Sequence, residues 1–197
     1  MSEIAPSIPA PEITCKLPSR GRVGMFSLIA AESAVFVIFI IAYLFYSGKS
    51  LSGPTAAILH VPVFFTICLL SSSLTIHASI KALTRGDTRA FGFWWLVTIA
   101  LGASFLAGTA FEWRHLMRDE GLTISTNLFG TTYYSLVGLH AFHVTVGLLA
   151  LAFVSILTLL GKVARTNARH VDVLSLYWHF VDVVWVVVLT VVYGIGR

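Results

Sequence analysis

The sequence predicts an all-α integral membrane bundle of five transmembrane helices with its N-terminus in the cytoplasm. Three observations carry this reading. Hydrophobic residues make up 57% of the 197-residue chain and charged residues 11%, with a mean hydropathy of +0.87. Soluble domains are about one-quarter charged. Continuous apolar stretches of about 20 residues, enough to cross a bilayer as a helix, recur five times. Lys and Arg, finally, cluster in alternate connections. The weak alternating ten-residue segments of a membrane barrel are absent.

Residues 1–20 hold four of the six prolines and lack the charged start and apolar core of a signal peptide. They read as a flexible polar tail before a five-helix domain over 21–197. The first span, about 24–46, carries one charge, Glu32. The second, about 60–80, stops at Lys81. The third, about 91–113, begins after Arg89 and meets its first charge at Glu112. The fourth, about 132–160, lies in a stretch without formal charge from Gly121 to Gly161. The fifth, about 173–195, carries Asp182. Short connections and no internal repeat predict one compact bundle. Ala100, Ser104 and Gly108, spaced by four, mark a small-residue stripe that places the third span within it.

With the N-terminus inside, Lys16, Arg20, Arg22, Lys81, Arg85, Arg89, Lys162, Arg165 and Arg169 are cytoplasmic. Those are nine of the 13 Lys and Arg, against Lys49, Arg114, Arg118 and Arg197 outside. The balance follows the positive-inside rule. The net charge of +4 is dispersed, and no basic cluster interleaved with aromatics points to nucleic acid. Cys15 and Cys68 form neither a C-x-x-C motif nor a disulfide framework.

Ionisable side chains at membrane depth cost about 2.5–3.5 kcal/mol each on insertion scales, so each needs a partner, a cavity or a headgroup. The set is Glu32, Glu112, His140, His143, His179 and Asp182, with His77 near a helix end. Glu32 lies about ten residues into its span, about 15 Å deep. It is either a protonated acid bonded to a neighbouring helix or a proton-linked or lipid-contacting site. His140 and His143 share a helix face, as do His179 and Asp182, which form a polar pair fixing helix packing. The histidines fall near helix starts in opposite leaflets, which argues against one metal joining His140 to His179. No H-E-x-x-H, Cys/His cluster or 2-His-1-carboxylate set is present. Glu112 and His115, with Arg114 and Arg118 nearby, read as a solvated interfacial ion cluster. Trp113, Trp178, Trp185 and Tyr193 read as interface belts or packing residues.

Five stretches carry a family resemblance. YWHFVDVVW at 177–185, followed by VVVLTVVYGIG, resembles the last-helix motif of subunit III of haem–copper terminal oxidases. GMFSLIAAESAVFVIFIIAY, LLSSSLTIHASIKAL, LGASFLAGTAFEW and NLFGTTYYSLVGLHAFHVTVGLL resemble its preceding helices in order, over residues 21–195. The chain is similar to the five-span bacterial form, beginning where the seven-span mitochondrial form has its third helix. It departs from the pattern at Thr109, often glutamine in the family, and at Ala141, usually glycine.

The resemblance implies a subunit without redox centres in an oxygen-reducing, proton-pumping complex of the bacterial cytoplasmic membrane. Haem and copper would lie in partner subunits, and subunit I would be the main partner, with subunit II and others. This chain would hold phospholipid and support proton uptake. Glu32 would then be the intramembrane carboxylate near the lipid cleft or the subunit I contact, and His143, His179 and Asp182 internal polar ties. Both cytochrome c and quinol oxidases use this subunit type, and the sequence leans towards cytochrome c. A small haem-b electron-transfer protein and a proton-coupled transporter using Glu32 are the competing classes. No inverted repeat supports the transporter.

Overall fold

The computed structural model describes residues 20–49 and 53–195, so the expected tail lies outside the described residues except for Arg20, which opens the first helix. Five long helices follow: α1 (Arg20–Tyr46), α2 (Val63–Arg85), α3 (Thr88–Arg118), α4 (Leu128–Leu159) and α5 (Ala168–Leu189). A π-helical turn, Thr190–Ile195, continues α5. Single 3₁₀ turns at Ala56–Ile58 and Arg165–Asn167 interrupt the connections. All five helices are long and apolar enough to cross a membrane, and no strand occurs among the described residues.

Hydropathy locates the apolar centre of each span, whereas local chemistry sets its ends. Pro62 stands at the N-cap of α2. A residue before proline is pushed out of helical space, so α2 starts at Val63 rather than near 60. Gly86 ends it in the left-handed region (φ 86°), its N–H reaching the carbonyls of Ala82 and Leu83. The Asp87 carboxylate then accepts the Ala90 N–H at 2.9 Å and starts α3. A turn this tight forces α2 and α3 to lie side by side, antiparallel. Asn127 caps α4 in the same way, accepting from the Gly130 N–H at 2.8 Å, which moves that helix start upstream to Leu128.

α1 packs against α4 and α5; the α2–α3 hairpin closes the bundle through α2 on α5 and α3 on α4. α5 is the central helix. Half of its most apolar stretch is buried within the protein, against 11% for α1. Phe26, Ile38, Ile41 and Phe45 of α1, Phe64 and Leu74 of α2, and Phe142 and Phe153 of α4 are exposed. Such a greasy exterior suits lipid or a partner helix rather than water.

Close helix approach is made by glycine, at Gly108 of the expected stripe and at Gly102 outside it. Ala100 is exposed and Ser104 half-buried. The buried stripe of α3 runs through Phe91, Trp95, Thr98, Gly102, Phe105 and Thr109, with Gly108 beside it. A Cβ on Gly108 would stand 2.4 Å from the Phe65 ring, and one on Gly102 would stand 2.8 Å from Trp178. Of the expected three, Gly108 is buried and mediates a tight contact. The aromatic residues that fill the interior set the seam, which four-residue spacing cannot reveal.

Candidate functional site

Five of the six candidate polar residues fall into three groups within the bundle. The first joins α1 to α4. His143 is buried, with Nε2 3.1 Å from a carboxylate oxygen of Glu32 and Nδ1 2.7 Å from the Leu139 carbonyl. A carbonyl can only accept, so Nδ1 carries a hydrogen. One proton then lies between Nε2 and Glu32, giving either an imidazolium–carboxylate or an imidazole–carboxylic acid pair. The pair is neutral as a unit in both cases. That is how an acid can sit in an apolar span with its side chain 31% exposed at the bundle's outer face. Phe36 lies over the His143 ring, centroids 5.0 Å apart, and the Tyr177 hydroxyl donates to the His143 carbonyl at 3.2 Å.

The second group joins α2 to α5. His179 and Asp182 are one turn apart, but the bond between them runs through Ser73. Its hydroxyl donates to Asp182 Oδ2, and its oxygen lies 2.8 Å from His179 Nδ1. Because the one hydroxyl hydrogen goes to the aspartate, His179 Nδ1 is the donor to Ser73. The chain therefore runs His179 to Ser73 to Asp182. Asp182 is buried, and its Oδ1 has no hydrogen-bond partner among the described residues. Immediately beside it on the same two helices, the Trp178 indole N–H donates to Ser72 Oγ at 2.7 Å, and Trp185 donates to Thr66 Oγ1 at 3.2 Å. Both tryptophans are buried packing residues rather than interface belts. The direct His179–Asp182 pair expected from spacing is thus a bridge across two helices.

The third group ties α3 to the π-turn. The Tyr193 hydroxyl donates to Glu112 Oε1 at 3.1 Å. Glu112 also lines a cleft of about 330 Å³ with His60, Phe65 and His115. His115 pairs instead with Asp119 at 2.5 Å, and Glu112 forms no ion pair with Arg114 or Arg118 among the described residues. The expected ion cluster therefore does not form. The two arginines, two and six residues on, leave the helix from another side.

His140 stands apart. It is fully buried, stacked on Trp185 with centroids 5.0 Å apart and edge-on to Phe105, and neither ring nitrogen has a hydrogen-bond partner among the described residues. Nor are the histidines near helix ends. In α4, beginning at Leu128, His140 lies about 18 Å in, and in α5, beginning at Ala168, His179 lies about 17 Å in. The leaflet argument against a shared metal falls with that correction. No group of three His, Cys, Asp or Glu side chains suited to a metal ion occurs among the described residues. Spacing missed Ser72, Ser73 and Tyr193 as polar partners; three successive serines in an apolar span were the available signal.

Residues 16–197 match a family model described as Cytochrome c oxidase subunit III. The chain is also similar to curated bacterial proteins named cytochrome c oxidase subunit 3. The one from Alkalihalophilus pseudofirmus is 36% identical over 176 residues, covering 88% of this chain and 85% of the relative. That from Bacillus sp. PS3 is 36% identical over 196 residues, covering 95% and 92%. That from Synechocystis is 38% identical over 186 residues, covering 89% and 76%.

Proposed function

This chain belongs to the cytochrome c oxidase subunit III family, and from that premise we propose that it is the non-catalytic accessory subunit of a proton-pumping haem–copper terminal oxidase of aerobic respiration. As a multi-pass membrane protein and part of an oxidase complex, it packs on subunit I and stabilises it, with subunit II and other subunits as further partners. It holds phospholipid and supports proton uptake. Haem and copper reside in the partner subunits.

The observation that carries this reading is the family match, which runs from residue 16 to the last residue and takes in every polar tie described above. The exposed apolar face of α1, with the neutral Glu32–His143 pair set into it, supports a contact with lipid or with subunit I. The names of the relatives support cytochrome c as the electron donor. The distribution of Lys and Arg supports a cytoplasmic N-terminus in the bacterial inner membrane.

The test is to purify the full chain with its partners in mild detergent, identify the subunits, and measure oxygen consumption on reduced cytochrome c and on quinol. Co-purification with a haem-bearing subunit and turnover on cytochrome c is the expected result. Turnover on quinol alone would move the chain to the quinol branch, and a haem band in this chain by itself would overturn the accessory reading.

A further inference from the structure

Where α3 ends, α4 begins and the π-turn closes α5, four easily oxidised side chains follow one another. Trp113 forms part of the wall of an open recess of about 530 Å³, flanked there by Arg114 and Arg118. Neither arginine meets a carboxylate within ion-pair distance among the described residues. The Trp113 ring meets Tyr134 edge-on with centroids 5.3 Å apart, and Tyr134 meets Tyr133 in the same way at 5.2 Å. The Tyr133 hydroxyl lies against that of Tyr193, which in turn donates to Glu112 Oε1 at 3.1 Å. All three tyrosines are buried.

Removing one electron from a phenol turns it into a strong acid, so an oxidising equivalent settles where the proton has somewhere to go. Trp113 Nε1 has no hydrogen-bond partner among the described residues. Tyr134 donates to the Leu122 carbonyl at 2.8 Å, and an amide oxygen accepts a hydrogen bond but is too weak a base to keep a proton. Tyr193 has a carboxyl group for its acceptor. We propose that Trp113, Tyr134, Tyr133 and Tyr193 form a chain that takes an oxidising equivalent from an oxyl radical anion at the arginine-flanked recess and holds it at Tyr193 as a neutral tyrosyl radical. The two arginines draw an anion to the indole. The radical anion takes one electron from Trp113 and becomes a closed-shell dianion. Electrons then step outward from Tyr134, Tyr133 and Tyr193 in turn, and as Tyr193 gives up its electron its proton passes to Glu112. Tunnelling falls off exponentially with distance, and rings in contact stand as close as two redox groups can. One electron returned by a thiolate at the cleft that Glu112 lines, together with that proton, restores the phenol. The inference rests on the oxidase reading only for a natural source of oxygen radicals.

The test uses the tagged full chain with whatever co-purifies with it, fully oxidised with ferricyanide in detergent. Flash photolysis of persulfate in bicarbonate supplies the carbonate radical anion as the probe. Samples are freeze-quenched and read by electron paramagnetic resonance, with ring-deuterated tyrosine to identify the radical. The wild type is expected to show a neutral tyrosyl component, narrowed by deuteration, that is lost in Tyr193→Phe. Glu112→Gln, which keeps an acceptor for the phenol but cannot take its proton, should lose the same component. So should Trp113→Phe, which keeps an aromatic ring in place but cannot be oxidised. Tyr46→Phe, on an exposed phenol outside the chain, should keep it. If Tyr193→Phe fails to assemble, the difference between wild type and Glu112→Gln decides. An unchanged signal in Glu112→Gln overturns Tyr193 as the resting place, and an unchanged signal in Trp113→Phe overturns the chain. Because the probe supplies its own oxidant, either failure leaves the oxidase reading standing, and that reading fails separately, by the absence of a co-purifying haem-bearing subunit.

Discussion

The indole of Trp178 is bonded at its N–H to Ser72 and held by its six-membered ring against two glycines, Gly102 of α3 and Gly147 of α4. A Cβ on either glycine would stand 2.8 Å from the ring. One side chain of α5 thereby fixes its distance from three helices. In lipid, where apolar burial gives no preference for protein over membrane, such packing and hydrogen bonding do the work of association.

Alanine at Gly102 or Gly147 is therefore expected to destabilise the bundle. Alanine favours a helix over glycine by about 1 kcal/mol, but overpacking costs about 1–3 kcal/mol, and here the obstacle is a wedged indole without room to withdraw. Each variant should shorten the detergent half-life of the complex, and Gly24→Ala, which meets nothing within 4 Å, should not. Equal behaviour of all three would refute the wedge.

Asp182→Ala is expected to weaken retention of this chain in its complex or shorten the oxidase's working life, while the haem spectrum of the partner stays largely intact. Ser73 keeps His179 but loses its acceptor, so the cost is that of one buried bond to a charged or polar group, about 1–3 kcal/mol. Ser73→Ala should cost more, because it leaves the buried Asp182 carboxyl without a partner among the described residues, and it should add little on top of Asp182→Ala, since both remove the same bridge. Quantifying the chain in purified complexes checks this. Loss of haem with normal assembly would contradict it.

Both His179 and Asp182 were legible as a polar pair from their spacing, while the route between them was not. Helical periodicity reports which residues share a face, but the face meets a neighbour whose register depends on packing elsewhere. Ser73 reaches the pair only because α2 and α5 are held in register by Trp178 on Ser72 and Trp185 on Thr66. Depth was misjudged for a related reason. Asn127 sets the start of α4 through one hydrogen bond that a hydropathy window averages away, so His140 and His143 fell near a helix start that lies a turn or more upstream. The five spans themselves were plain, since length and apolarity are properties of a segment alone.

Tyr193→Phe should loosen the end of α5. The phenol is the one hydrogen-bond donor to Glu112 among the described side chains, and it sits in the π-turn, where the regular helix ladder is already interrupted. Removing it from a half-buried carboxylate costs about 1–3 kcal/mol. Faster amide exchange over 190–195 with unchanged exchange in α1 is the expected signature. Glu112→Gln, which keeps an acceptor for the phenol, should be milder. The reverse order would show that Glu112 matters for something other than Tyr193.

Glu32 and His143 invite a double-mutant cycle, because the single proton between them makes each the other's neutraliser. Glu32→Gln leaves an imidazole that still bonds Leu139, a modest loss. His143→Leu leaves a carboxyl at membrane depth with its one described partner gone, and it should be the costlier change. Combining them removes both the acid and its need for a partner, so the double variant should fall short of the sum by about 1–3 kcal/mol of coupling. Thermal half-lives of the detergent-solubilised complex give the four corners of the cycle. Additive losses would mean that the two side chains do not share a proton, and the account of how α1 carries an acid through an apolar face would fail with them.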